Sequence, residues 1–560
     1  MTLLRLPRAA GVIVVCALLV ACGKAPRPEA AAIASAHPAA TAAGEEILAA
    51  GGNAFDAAVA VSAALSVVEP AASGLGGGSF WLLHDNSSGS QVFVDARETA
   101  PAAATRDMYL DEAGKPRKRA SYDGPLAAGI PGHPAGLAHV AERYGRLPLA
   151  VTLQPAIRLA EEGFIATPRM LLGLKFRKSA YKNSPGFTAV FLPEGGIPEP
   201  GDVIRQPDLA ATLRALAENG AEGFYRGQVA DKLLAGVTRG GGIWTADDLE
   251  NYAVIEREPI SFTFNGVRFV SAPPPSSGGV VLAQIFNVLA GYDLSAMSGA
   301  QQRHLEIEAM RRAYRDRAEY LGDPDFIDMP LERLLSADYA AALRGTIDPE
   351  AATPSSELPP VYAVPNEGND TTHLSVLDGE GNRVAVTQSI NTWYGAGFIP
   401  HGTGVILNNE MDDFSSKPGE PNSFGLIHGS ANEIEPGKRM LSSMSPTFLE
   451  SERGVAILGT PGGSRIITQV MLGAQVWMNG GSADEMVSGK RFHQQYIPDS
   501  VAYEPGAFST EEIAQLEAKG HKLSESGRPF GNMNVVVWRY ATGTVEAATD
   551  PRGKDEGRVY

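Results

Sequence analysis

Cysteine is almost missing from this 560-residue chain: there are two, Cys16 and Cys22, both within the first 22 positions. Beyond them no disulfide can form and no thiol is left over. Metal-binding patterns are missing too. The ten histidines include no HExxH and no Cys/His cluster, and "DPDFID" (323–328) lacks the spacing and glycine of a calcium loop. No metal is therefore expected. The glycine-rich "SGLGGGSF" (73–80) is neither a Rossmann nor a Walker pattern and there is no GxSxG elbow, so no cofactor is expected either. Basic character is scarce, with 47 Lys and Arg against 64 Asp and Glu and a net charge of −17 spread along the chain. That balance argues against a nucleic-acid partner. It leaves a small zwitterionic ligand open, because local charges decide such binding. No internal repeat is present. The 44% hydrophobic and 20% charged residues are those of an ordinary globular protein with a sizeable core.

One apolar run stands out. "MTLLRLPRAAGVIVVCALLVACGK" places Arg5 and Arg8 before a stretch too short to span a bilayer but the length of a signal h-region. Its end, Leu19 to Cys22 followed by Gly23, resembles a bacterial lipoprotein signal acylated on Cys22. A plain secretory signal or an uncleaved anchor would be the rivals. The confinement of both cysteines to this region favours the lipoprotein, with a signal peptide over 1–21 and a tether over 22–36. The expected location is the bacterial periplasm or cell envelope, lipid-anchored to the membrane.

Downstream, "TAAGEEILAAGGNAFDAAVAVSAALSVVEP" (41–70) predicts two Ala-rich helices broken at Gly51-Gly52, with Asn53 as N-cap. Residues 134–166, 207–238 and 301–320 read as mainly helical, the last with an apolar stripe beside a charged face. "ISFTFNGVRFVS" is a hairpin turning at Asn265-Gly266. After residue 371 the texture turns to strands: "THLSVLD", "RVAVTQSI", "VAILGT" and "NVVVWRY". Helices first and strands later, around a Pro/Gly-rich junction near 353–370, predict one mixed body of two interlocking segments.

That junction ends abruptly in "EGNDTTHLSV" (367–376). A Thr-Thr pair ordinarily marks nothing more than a strand start. Here the turn "DGEGN" (378–382) supplies a second reading. A hairpin symmetric about Glu380 sets Thr371 opposite Ser389, where Cβ atoms are about 4.5–5.5 Å apart and two hydroxyls can meet. Cleavage before Thr371 would free an α-amine with a reference pKa of about 7.7–8.0, able to serve as base for the adjacent hydroxyl. His373 is a competing base, better read as a structural hydrogen-bonding group.

The motifs "TTHLSVLDGEGNRVAVTQSIN", "GVILNNEMDDFSSKPG", "KRMLSSMSPT" and "GTPGGSRIITQV" closely resemble the γ-glutamyltransferase family of N-terminal-nucleophile hydrolases. So do "HPAATAAGEEILAAGGNAFDAAVA", "VVEPAASGLGGGSF", "DARETAP" and "PPPSSGG", which extends the likeness over nearly the whole chain past the signal. The resemblance implies an α+β fold, a four-layer αββα sandwich. It also implies self-cleavage between Asp370 and Thr371 into a large segment (37–370) and a small one (371–560) that share one body. Thr371 would then take the γ-glutamyl group from glutathione or another γ-glutamyl amide and pass it to water or to an amino acid or dipeptide amine.

By the same resemblance Arg97, Ser442 and Ser443 would hold the donor's α-carboxylate, and Asn391, Glu410 and Asp413 its α-ammonium. Gly462 and Gly463, ahead of a buried helix, would form the oxyanion hole, as bare N–H groups at a helix start can. Without the resemblance, Arg97 reads as a salt-bridge partner of Asp95 or Glu98, "NNEMDDFS" as a solvated acidic turn, and Gly462-Gly463 as a tight strand-to-helix turn. Position 389 is serine where many relatives have threonine, and Glu410 is a carboxylate where some carry an amide. Phe424 stands where some bacterial relatives place a tyrosine, and a phenyl ring cannot donate a hydrogen bond. Two other readings remain: an acylase for glutaryl-type side chains in the same fold, and a non-catalytic surface lipoprotein that binds a ligand. Asp413 argues against the acylase, since a glutaryl donor has no ammonium.

Overall fold

The computed structural model describes residues 27–182, 184–192, 195–359, 371–415, 429–553 and 556–560. Two large sheets lie at its centre. In the seven-stranded sheet the order is Glu556–Val559, Ala32–Ser35, Thr372–Leu377, Arg383–Ser389, Gly78–Asp85, Ser90–Ala96 and Ile255–Arg257. In the six-stranded sheet it is Val545–Thr549, Asn534–Arg539, Gly454–Gly459, Thr447–Ser451, Val267–Ser271 and Ile260–Phe264.

Alternation of side chains along these strands shows the layering. Trp81, Leu83, Val94, Val376, Val384 and Val386 pack into one core with the helices Pro38–Ala49, Ala54–Val68 and His133–Tyr144. Their strand neighbours Phe80, Leu82, Phe93, Leu377 and Ala385 enter a second core with Phe448, Leu449, Ile457 and Val536 of the other sheet. That core also takes in the helices Gly278–Leu289, Gly299–Tyr320 and Ile466–Met478. Helix, sheet, sheet, helix is the αββα order, in which each sheet face is buried against another element.

Local chemistry explains why the site strands pair as they do. The Asp378 carboxylate accepts from the N–H groups of Glu380 at 2.9 Å and Asn382 at 3.0 Å, closing the turn. Its second oxygen accepts from Ala54 N–H at 2.9 Å, tying the turn to a helix start. With that turn held, Leu377 pairs with Arg383 and Thr372 with Gln388, the register symmetric about Glu380. Asn53 caps its helix as expected, accepting from Phe55 and Asp56 while Asp56 accepts from Asn53 N–H. Asn265 and Gly266, at φ 47° and 76°, make the hairpin turn. A Cβ on Gly77 would lie 2.0 Å from the Ser389 carbonyl oxygen, so only glycine lets this loop pass the end of the site strand.

One expectation needs correction. The tether is shorter than 22–36, because Ala32–Ser35 forms a fully buried strand beside Thr372–Leu377. "AIAS" is too short and small to signal a strand by pattern. The charged face of Gly299–Tyr320 is buried as well: Glu306, Glu308, Arg311, Arg312, Asp316 and Arg317 are all inaccessible. Most of their ion pairs lie within one turn of the helix, while hydrogen bonds from Gln284 to Asp316 and from Arg317 to Ser277 and Ser443 come from segments remote in sequence, which periodicity does not register.

Candidate active site

Thr371 stands at the mouth of the central hairpin. Its Oγ1 donates to Ser389 Oγ at 3.4 Å, the pairing that the turn alone implied. Ser389 Oγ accepts in turn from Asn391 N–H at 2.8 Å, which is possible because Asn391 adopts the left-handed conformation at φ 74°. That conformation costs on the order of 1–3 kcal/mol for a non-glycine residue and is found at functional sites. His373 points elsewhere. Its ring bonds Thr387 Oγ1 at 2.9 Å and Ser375 Oγ at 3.1 Å, and burial pushes its pKa down to about 3. It is a neutral structural group.

Arg97 meets three carboxylates: Glu410 at 2.7 Å, Asp413 at 2.6 Å and Glu98 at 3.4 Å. All four residues are buried. The salt-bridge reading of Arg97 holds for Glu98 but not for Asp95, which pairs with Arg257 and Arg439, and "NNEMDDFS" is a buried acidic turn rather than a solvated one. Burial pushes Glu98 and Glu410 up to about 7 against the pull of Arg97. Burial and then the Glu410 charge raise Asp413 well above the usual carboxylate range. A single guanidinium does not neutralise three carboxylates, so the cluster retains protons near neutral pH. A bound cation would replace them. Two acceptors are also free for it among the described residues: Glu410 Oε1 and Asn391 Oδ1 are buried without a hydrogen-bond partner.

Ser442 and Ser443 lie on a loop held against "PPPSSGG": Ser442 N–H donates to the Pro275 carbonyl at 2.8 Å, and Ser277 N–H to the Ser442 carbonyl at 2.9 Å. Gly462 and Gly463 adopt φ values of 140° and 56° before a short turn that leads into Ile466–Met478. A Cβ on Gly462 would also meet Gln469 Nε2 at 2.6 Å. One small, partly open cavity gathers these groups. Thr371, Ser389 and Gly463 line it, and so do Arg97, Asn391, Glu410, Asp413, Ser442 and Ser443. Gly462 sits one residue behind the wall. Asp370, Phe424 and Cys22 lie outside the described residues.

The cavity therefore joins the Thr371 hydroxyl and a glycine turn to Arg97, the carboxylates of Glu410 and Asp413 and the hydroxyls of Ser442 and Ser443. Arg317 is a lining residue that the sequence reading missed. Its only signal was its place in the charged run "RRAYRDR", which reads as a helix surface.

The model of the gamma-glutamyltranspeptidase family matches residues 40–560. The chain belongs to that family. It is 46% identical over 486 residues to a glutathione hydrolase proenzyme of Pseudomonas sp. (strain A14), covering 86% of this chain and 84% of that protein. To the glutathione hydrolase proenzyme of Escherichia coli (strain K12) it is 42% identical over 532 residues, covering 94% and 90%. Among solved structures, a cephalosporin acylase from Bacillus halodurans superposes with a TM-score of 0.82 at 28% identity, covering 99% of this chain and 98% of that one. The αββα body and the family agree, and the match spans both segments about residue 371.

Proposed function

We propose that the protein is a γ-glutamyltransferase and glutathione hydrolase that matures by cutting itself between Asp370 and Thr371. The observation that carries this reading is the zwitterion clamp in the same cavity as Thr371. A γ-glutamyl donor has an ammonium and a carboxylate at one end and its scissile amide at the other. The ammonium goes to Asn391, Glu410 and Asp413, and the carboxylate to Arg97, Ser442 and Ser443. Thr371 Oγ1 then attacks the γ-carbonyl, its proton passing through the freed α-amine to the departing nitrogen. A C–O ester bond forms as the C–N bond breaks, and backbone N–H groups at Gly462 and Gly463 receive the oxyanion. Water, or an amino acid or dipeptide amine, releases the acyl group by the same path in reverse.

Comparing γ-glutamyl and glutaryl anilides tests this assignment. The γ-glutamyl compound should be cleaved at least tenfold faster by kcat/KM, because the glutaryl group brings no ammonium to Glu410 and Asp413. A preference for the glutaryl compound would favour instead the acylase reading, which the similarity to a cephalosporin acylase supports.

The carboxylates also predict a pH dependence. Glu410, raised to about 7, holds a proton below that pH, and the proton competes with the donor ammonium. KM for the γ-glutamyl anilide should therefore fall as pH rises from 6 to 8, and Glu410→Gln should flatten that limb. A wild-type KM that is constant across this range would remove Glu410 from the ammonium site.

Export and lipid attachment at Cys22 belong to the same reading, supported by the basic start, apolar run and "LVAC" end of the N-terminus. In detergent phase separation the mature protein should partition with the detergent and Cys22→Ala with water. Identical partition of both would exclude the lipid.

A further inference from the structure

Helix Gly299–Tyr320 carries five arginines. Four have a carboxylate in reach: Arg303 with Glu306 at 2.7 Å, Arg311 with Glu308 at 3.3 Å, Arg312 with Glu308 at 2.6 Å and Arg315 with Asp316 at 3.1 Å. Arg317 has no such ion pair among the described residues, although it is 1% exposed. Its Nε donates to Ser277 Oγ at 2.9 Å and its Nη2 to Ser443 Oγ at 3.2 Å. Nη1 is buried with no partner among the described residues, and the side chain lines the cavity of Thr371. Burial pushes its pKa down to about 10, with only Tyr314 and Asp413 opposing.

A buried cation with one nitrogen unmet is unfavourable unless an anion arrives. Arg97 is in the opposite condition, since three carboxylates already surround it. Among the described residues, the guanidinium beside the serine loop that carries no carboxylate is therefore that of Arg317.

We propose that Arg317 is a second carboxylate-positioning cation: it fixes the Ser443 hydroxyl with one arm of its fork and offers the other to the donor's α-carboxylate. The proposal rests on the γ-glutamyl reading above and deepens it. The surrounding bonds make the placement rigid. Ser277 Oγ, which accepts from Arg317, donates to the Ser442 carbonyl at 2.8 Å, so guanidinium and serine loop form one unit. Nearly one turn back on the same helix, the Tyr314 hydroxyl donates to the Ser464 carbonyl beside Gly463. One helix thus spaces the anion pocket from the oxyanion turn, the two features that must match the length of a glutamate side chain. A planar fork suits this double duty, and a lysine, being a point charge, would do only part of it.

The test compares two donors on the mature wild type, Arg317→Gln and Arg317→Lys. One is γ-glutamyl anilide; the other is 4-aminobutyryl anilide, which keeps the ammonium and lacks the carboxylate. For Arg317→Gln, KM for the γ-glutamyl donor should rise about 10–100-fold, the usual worth of a hydrogen bond to a charged group, with kcat within a few-fold. The 4-aminobutyryl donor should change little, so the preference between donors collapses. Arg317→Lys should lose about fivefold on the first donor only, keeping the charge without the fork. If Arg317→Gln fails to mature, Arg317→Lys reads the same ratio. Equal losses on both donors, or an unchanged KM for the γ-glutamyl donor, would reduce Arg317 to a brace and overturn the proposal. A wild type inactive on the γ-glutamyl anilide would instead sink the functional reading itself.

Discussion

Thr371→Ala should yield one uncut polypeptide that releases no amine from γ-glutamyl anilides. The expected loss is on the order of 10⁴–10⁶ in kcat, as when a catalytic nucleophile is removed from a hydrolase. The reason is that one hydroxyl is asked to act twice. In the precursor it attacks its own preceding carbonyl; in the mature protein, flanked by the amine it has just freed, it attacks the donor. Alanine deletes that oxygen and a methyl group from a position only 4% exposed, and the hairpin register is held by Asp378 rather than by Thr371. The variant should therefore fold, with circular dichroism and thermal unfolding close to the precursor's. Thr371→Ser keeps the hydroxyl and should still mature. Denaturing electrophoresis and N-terminal sequencing check this directly. A split Thr371→Ala chain, or a small fragment that begins at another residue, would show that the nucleophile lies elsewhere.

Arg97→Met should be the most damaging change in the binding cluster. It removes the one guanidinium bonded to Glu98, Glu410 and Asp413, and breaking a buried ion pair by deleting one partner costs about 3–5 kcal/mol. The loss should depend on pH with a definite sign. Glu98 and Glu410 already titrate at about 7 when folded, above their unfolded values, so each weakens the folded state once pH exceeds the unfolded pKa. Without Arg97 the folded values climb further. The gap in melting temperature between wild type and Arg97→Met should therefore be large at pH 8 and shrink toward pH 5, where the folded carboxylates of both proteins are protonated. Adding Glu410→Gln and Asp413→Asn should recover part of the stability but not the affinity for the donor. A gap that is constant from pH 5 to 8 would mean that Arg97 contributes by packing rather than charge.

How far the sequence could be read follows the range of the interactions involved. The Asn53 cap, the Asn265-Gly266 hairpin and the pairing of Thr371 with Ser389 were all legible. Each depends on groups within a few residues or on a turn whose centre the sequence marks. The αββα fold and the gathering of Arg97, Glu410, Asp413, Ser442 and Ser443 were reached by family resemblance. Nothing in the local pattern says that Arg97 meets a turn more than 300 positions later.

Read alone, the chain settles the pairing of Thr371 with Ser389 and the strand that presents them, because a short hairpin centred on Glu380 sets the register. It does not settle the charge state of the pocket. Glu98 and Glu410 are raised to about 7, and Arg317 is a buried cation with no carboxylate ion pair among the described residues, only because segments remote in sequence close over them and exclude water. Desolvation belongs to the packed body, and the same letters "RDR" on an open helix would be ordinary solvated charge.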